Sequence, residues 1–404
     1  MELTETKMIQ LSERIKRMEE SATIAMSRKS RELKAQGKDV ISLSLGEPDF
    51  NTPDFVKKAA VEAMDNNFTS YTPVPGYEDL RQAISDKFKR DNGLDYGLDQ
   101  IVVSTGAKQS IANVVLSTVG SGDDVIIPAP FWVSYIEIVK VAEGNPVIVN
   151  ADISSDFKIT AEQLANAITP STKLMIFSTP CNPTGSVYSK DELRALANVI
   201  ARHPQLVVIC DEIYEHINFT SKHASLAQFE DIKEQVVTVN GVSKAWAMTG
   251  WRLGYIGGSK KIAAACTKIQ GQFTSGTCSI TQKASIAALD ADPMVLKDMI
   301  EAFKGRRELV LGELNKMDGV KTNVPEGAFY VFPDISNFFG KSFGNRKISN
   351  ANDLSMYLLE EALVAIVTGE AFGDPNCVRI SYAASEETLR EAMRRIGEAL
   401  AKLA

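Results

Sequence analysis

Between residues 98 and 260, short β-branched runs alternate with stretches of helical periodicity. Ile101–Val103 precedes an apolar-periodic stretch over 109–119, Val125–Ile127 precedes another over 132–142, and Pro146–Val149 again reads as strand. Lys173–Phe177, Leu206–Ile209, Val236–Val239 and Leu253–Ile256 continue the series. These runs are nearly continuous in apolar residues instead of alternating, so both faces of each strand are covered. With helices between them, that pattern predicts a mainly parallel sheet flanked by helices, an α/β fold. Thr160 with Gln163, and Ser189 with Glu192, carry capping-box chemistry at two helix starts.

The ends read differently. Residues 8–36 form an amphipathic helical pattern, followed by a short strand at Val40–Leu45. After about residue 285 come charged helices, a strand at 327–332 and another at Val378–Ser381. The last helix carries Leu389, Met393, Ile396, Leu400 and Leu403 on one stripe. The expected organisation is an N-terminal segment, 1–46, that joins a small domain; a large α/β domain, 47–285; and a small C-terminal α+β domain, 286–404. A chain of 404 residues is long enough for such a division.

Composition narrows the function. A net charge of −7 argues against a nucleic-acid or anionic-membrane surface. No apolar run reaches the roughly 18 residues of a membrane span, and the first twenty residues are charged with no apolar signal segment. The five cysteines (181, 210, 266, 278 and 377) and three histidines show no metal-ligand spacing, so no metal is expected. The cysteines read as reduced thiols of a cytoplasmic protein.

In parallel α/β sheets ligands gather at the carboxyl ends of the strands. After Ile101–Ser104 come Thr105, Gly106, Ala107 and Lys108: either an ordinary tight turn or free helix-start amides for a phosphate. After Val125–Ile127 comes Trp132, a packing residue or a ring to stack on a pyridine. After Lys173–Phe177, Asn182 stands in an Asn-Pro turn, where its amide can donate to a phenolic oxygen. After Leu206–Cys210 comes Asp211, and a carboxylate at the end of a buried strand needs a partner. It reads as a helix cap or as the partner of a protonated pyridine nitrogen, with Tyr214 in reach of the neighbouring ring oxygen.

The segment Gly241–Gly254 follows the next strand. Lys244 offers an amine that condenses with an aldehyde. Arg252, eight positions on, offers a fork of donors for a phosphate, and Ser243 a hydroxyl for the same anion. An aldehyde and a phosphate on one small molecule describe pyridoxal phosphate.

With these residues in place the chain resembles, nearly end to end, a class I pyridoxal-phosphate-dependent aminotransferase of fold type I. More narrowly, it resembles the bacterial aspartate aminotransferases of the Ib-type subgroup. The resemblance runs through Ser21-Ala22-Thr23, Leu45–Phe50, Tyr71 with Gly76, Gly106–Gln109, Trp132–Tyr135, Asn182–Gly185, Asp211–His216, the Lys244 segment and Val378–Tyr382. It implies that Lys244 binds the cofactor aldehyde and shuttles the substrate proton, and that Asp211 keeps the pyridine nitrogen protonated. Tyr214 and Asn182 would bond the ring oxygen, and Trp132 would stack on the ring. Gly106, Ala107, Lys108, Ser243 and Arg252 would hold the phosphate end, helped by Tyr71 from the neighbouring subunit of a homodimer.

For the substrate, the resemblance implies that Arg379 and Gly46 grip the α-carboxylate, alongside Trp132 and Asn182. Lys108, Ser21 and Thr23 would read a distal carboxylate. The implied reaction moves the amino group of aspartate to 2-oxoglutarate by a ping-pong mechanism. Some relatives transaminate prephenate with a lysine just before the Ser-Ala-Thr; Glu19 stands there instead and disfavours that substrate. Alanine or aromatic amino acids are the alternatives within the same chemistry, and a regulatory carbon–sulfur β-lyase is the alternative outside it. A nicotinamide-dependent oxidoreductase is disfavoured, because Gly254, Gly257 and Gly258 have the wrong spacing.

Overall fold

The computed structural model describes residues 10–220 and 222–404. Seven strands form one sheet, in the spatial order Ile101–Ser104, Gly254–Gly257, Val236–Gly241, Val207–Asp211, Thr172–Ser178, Asp124–Ala129 and Asn145–Asn150. Six run in one sense. Gly254–Gly257 is antiparallel to both neighbours. It had read as one more strand of a parallel series. The reversal follows from its connection: the segment after Gly241 holds only a single 3-10 turn, Thr249–Trp251. With no crossover helix, the chain turns straight back beside the strand it has left.

The apolar runs are explained by burial on two faces. In Thr172–Ser178, Met175 and Phe177 belong to one core cluster, while Leu174 and Ile176 belong to another across the sheet. Val208 and Cys210 alternate with Ile209 in the same way, as does Ile126 with Val125 and Ile127. A strand with two buried faces has no polar positions to alternate. Both anticipated capping boxes form. Thr160 Oγ1 accepts from the Gln163 amide at 3.2 Å, and Ser189 Oγ accepts from the Glu192 amide at 3.2 Å.

Outside the main sheet, Tyr330–Val331, Val378–Ser381 and Val367–Thr368 make a small antiparallel sheet. Ile41–Ser42 pairs in parallel with Val364–Ala365, and the Ser381 amide donates to the Leu43 carbonyl at 2.9 Å. The N-terminal segment is thereby fastened to the C-terminal part of the chain. The stripe on the last helix, Glu386–Leu400, is buried as its periodicity required.

The helical pattern read over 8–36 is broken, and its first two residues lie outside the described ones. The helices are Glu13–Lys16 and Ala22–Ala35. Ser21 takes the non-helical position before the second, a place serine favours because its hydroxyl competes with helix hydrogen bonds. The strands read at Val40–Leu45 and 327–332 shrink to Ile41–Ser42 and Tyr330–Val331. No helix among the described residues is long and apolar enough to cross a membrane.

Candidate active site

A cavity of about 290 Å³ opens where the same-sense strands end. Thirteen of the residues singled out from the sequence line it: Ser21, Thr23, Gly46, Ala107, Lys108, Trp132, Asn182, Asp211, Tyr214, Ser243, Lys244, Arg252 and Arg379. Gly106 sits just behind Arg252. Tyr71 stands apart, 99% exposed and outside the cavity lining.

Asp211 ends its strand on the cavity floor. Tyr135 Oη donates to its Oδ2 at 2.8 Å, and the Ile213 amide donates to Oδ1 at 3.2 Å. Burial pushes its pKa up to about 6, against the pull of those two donors. Lys244 sends Nζ into the same space and donates to the Gly46 carbonyl at 2.5 Å. Burial lowers its pKa to about 8; the carboxylate of Glu47 opposes the shift, and Arg379 adds to it. A lysine brought toward neutrality is a nucleophile and a base near physiological pH.

Arg379 is 2% exposed, which an arginine tolerates only with partners or a purpose. Its Nη1 donates to Asn182 Oδ1 at 2.9 Å and its Nη2 to the Ser44 carbonyl at 2.6 Å. The guanidinium lies over the rings of Tyr330 and Phe372, 4.6 and 4.7 Å from their centroids. Its Nε has no partner among the described residues. Because Asn182 accepts through Oδ1, its amide NH₂ is left free to donate.

At the opposite end, helix Ala107–Thr118 begins behind Gly106, which has φ +91° and no side chain to cap the first-turn amides. A Cβ on Gly106 would come within 2.4 Å of Arg252 Nη2, the tip of a side chain that can shift, so it is the backbone conformation that calls for glycine here. Helix N-terminus, Arg252 and the buried Ser243 together make a site for an anion. Lys108 is exposed over the residue as a whole, yet its ammonium lies 5.0 Å from the Trp132 ring centroid. Its pKa is lowered, by desolvation first and by repulsion from Arg252 second.

Two groups were missed in the sequence. Tyr135 closes the Trp132–Tyr135 match yet drew no role, and Tyr330 read only as part of a strand. The available signal was a polar-tipped ring inside an otherwise apolar stretch, since a buried tyrosine needs a partner for its hydroxyl.

The donor set fits pyridoxal phosphate. It offers a buried carboxylate lacking a cation, an amine near neutrality, an anion cradle and a buried guanidinium with an unused N–H. A family model, aminotransferase class I and II, matches residues 38–396, and the chain belongs to that family. It is an aminotransferase, and the family's cofactor is pyridoxal phosphate.

Among similar proteins is an aspartate/prephenate aminotransferase of Cereibacter sphaeroides, 49% identical over 96% of this chain and 97% of that one. Among solved structures, an aspartate aminotransferase from Rhizobium meliloti superimposes with a TM-score of 0.95 at 44% identity, covering 98% of this chain and 100% of the other. The aspartate aminotransferase of Thermus thermophilus with maleate matches with a TM-score of 0.91 at 39% identity, over 97% and 100% of the two chains.

Proposed function

We propose that this aminotransferase moves the amino group of aspartate to 2-oxoglutarate, giving oxaloacetate and glutamate in two half-reactions on one site. The observation that carries this reading is that one cavity is lined both by the buried Arg379 and by Lys108, along with Ser21 and Thr23. A dicarboxylic amino acid matches two cations; alanine leaves one without a partner. The maleate named with the Thermus thermophilus structure is also a dicarboxylate.

When bound, pyridoxal phosphate supplies the aldehyde and the electron-withdrawing ring that loosen the Cα–H bond and carry the amino group. Lys244 would hold the aldehyde and, once free, would take the Cα proton and return it one atom away. Asp211 would pair with the ring nitrogen and favour its protonated form. Tyr214 and the Asn182 amide would donate to the phenolic oxygen, and Trp132 would offer its ring face. Gly106, Ala107, the Lys108 amide, Ser243 and Arg252 would hold the phosphate. Arg379 with Gly46 would orient the α-carboxylate and so present the Cα–H bond to Lys244.

Tyr71 serves the partner's phosphate in a homodimer of a cytoplasmic enzyme; its full exposure in one chain is consistent with that use. Mass measurement in solution tests the dimer. Prephenate is a second reading, favoured by the name of the Cereibacter sphaeroides relative. Glu19, whose amide donates to Glu137 Oε2 at 3.0 Å, argues for weaker use of that substrate.

The test is kcat/KM over a panel of amino donors for the native enzyme and Lys108→Ala. Loss of one charge-assisted contact lowers kcat/KM for aspartate by about 10–100-fold. Alanine stays nearly unaffected. Equal losses for both would remove the dicarboxylate assignment.

A further inference from the structure

Tyr330 enters the cavity, although none of the roles above employs it. It is fully buried and touches three site groups at once. Its Oη lies 2.8 Å from Tyr214 Oη. Its ring faces the Arg379 guanidinium at 4.6 Å. Its hydroxyl also occupies the space beside Gly46, where a Cβ would approach Tyr330 Oη to 2.3 Å. Close approach, not a special backbone conformation, is what requires glycine at 46.

The two hydroxyls have a proton count to satisfy. Burial raises the pKa of both tyrosines, so each keeps its single proton at neutral pH. If Tyr214 gives its proton to the cofactor's phenolic oxygen, the hydrogen between the two tyrosines comes from Tyr330. With the opposite direction, the cofactor oxygen loses the Tyr214 donor. A hydroxyl that accepts one hydrogen bond also donates a stronger one.

We propose that Tyr330 is a positioning residue: its O–H turns the Tyr214 hydroxyl toward the cofactor oxygen, while its ring face holds Arg379 in register for the α-carboxylate. One side chain thereby joins the part of the site that tunes the cofactor to the part that grips the substrate. A pair of core tyrosines that merely satisfy each other would do neither.

The two functions separate by substitution. Tyr330→Phe keeps the ring and removes the O–H; Tyr330→Leu removes both. The inference rests on Tyr214 meeting the phenolic oxygen, so Tyr214→Phe is measured alongside. The readout is a spectrophotometric pH titration of the cofactor band in substrate-free holoenzyme, with thermal melts to verify folding.

Donation to the phenolic oxygen stabilises its deprotonated form, so losing a donor moves the band's apparent pKa upward. Tyr214→Phe shifts it by about one pH unit, the worth of one such bond. Tyr330→Phe shifts it upward by roughly 0.1–0.3 unit, the cooperative share, and leaves KM for aspartate near the native value. Tyr330→Leu additionally raises KM about tenfold, as loss of a desolvated cation–π contact implies. If Tyr214→Phe shifts the band and Tyr330→Phe does not, the hydroxyl role of Tyr330 is overturned. If neither shifts it, the placement of Tyr214 fails, and this inference with it. An unchanged KM in Tyr330→Leu overturns the clamp on Arg379.

Discussion

On the cavity side of the segment that follows strand Val207–Asp211, Asp211 receives Tyr135 Oη and the Ile213 amide, and Tyr214 meets Tyr330. On its other side Glu212, Glu215 and His216 enter a buried ionic cluster. Glu212 accepts from Ser225 Oγ at 2.6 Å and pairs with His223 at 2.9 Å. Glu215 pairs with Lys87 and accepts from Asn92 Nδ2 at 2.8 Å, while Lys87 donates to Asn92 Oδ1 at 2.8 Å. Burial alone would raise Glu215, but Lys87 and the two imidazoles outweigh it and hold the carboxyl well below its usual range. Asp211, just as buried, goes the other way, to about 6.

Two carboxylates on one short segment thus end on opposite sides of the ordinary range, and the partner makes the difference. Lys87 satisfies one; the other has no ion-pair partner among the described residues, as the proposed role opposite a protonated ring nitrogen requires. Asp91, Glu215 and His216 bring ligand atoms within 4.8 Å of one another, but the Lys87 ammonium already supplies positive charge there. The rear cluster is charge-paired on every side named above, and the front is left underpaired.

The largest effect that would break this contrast belongs to the front. Lys244→Ala removes the amine proposed to bind the cofactor and move the proton, and turnover falls by about 10⁴-fold with the fold intact. Steady-state rates and circular dichroism check both halves.

The rear answers in stability instead. Lys87→Met strands Glu215 and costs about 3–5 kcal/mol in urea unfolding, whereas adding Glu215→Leu recovers part of the loss. KM for aspartate in the molecules that stay folded barely moves. A Lys87→Met protein of native stability would erase the distinction between the two sides.

Asp211→Asn sharpens it further. The folded-state pKa of Asp211, about 6, lies above its ordinary value of 3.8. The cofactor-free fold therefore binds more protons than the unfolded chain between those values, and loses stability as pH rises through that window. Asparagine removes the penalty, so at pH 7 the cofactor-free variant is more stable by on the order of 1–3 kcal/mol. Its cofactor affinity and turnover fall. Glu215 has the opposite sign: its contribution is present at neutral pH and is lost as pH falls below its ordinary value of 4.5. Denaturant titrations from about pH 2.5 to 8 on the cofactor-free protein separate the two slopes, Glu215 on the acid side and Asp211 above it.

Much of this was legible in the sequence because strands buried on two faces announce themselves as unbroken apolar runs, and their ends mark where a ligand sits. Asp211, Asn182 and Lys244 were readable as residues that follow such runs. The reversed strand Gly254–Gly257 was not, since its apolar text matches that of its neighbours and only the missing crossover helix betrays its direction. The break before Ser21 was hidden by charged, helix-compatible text on both sides.

Tyr330 was hidden for a different reason. Its partner Tyr214 lies 116 residues away, and nothing local distinguishes a hydroxyl aimed into a site from one buried in a core. The rear cluster is of the same kind: Lys87 and Glu215 lie far apart in the sequence, and only the fold brings them together.

The underpaired front is proposed to be a dicarboxylate aminotransferase site. Single-turnover spectroscopy of the holoenzyme with aspartate, glutamate, alanine, phenylalanine and prephenate, with product analysis, tests it most directly. The expected result is fast and complete half-reactions with aspartate and glutamate, release of the matching 2-oxo acids, and much slower turnover of alanine and phenylalanine. Alanine or phenylalanine reacting as fast as aspartate, or ammonia released in place of amino transfer, would contradict it.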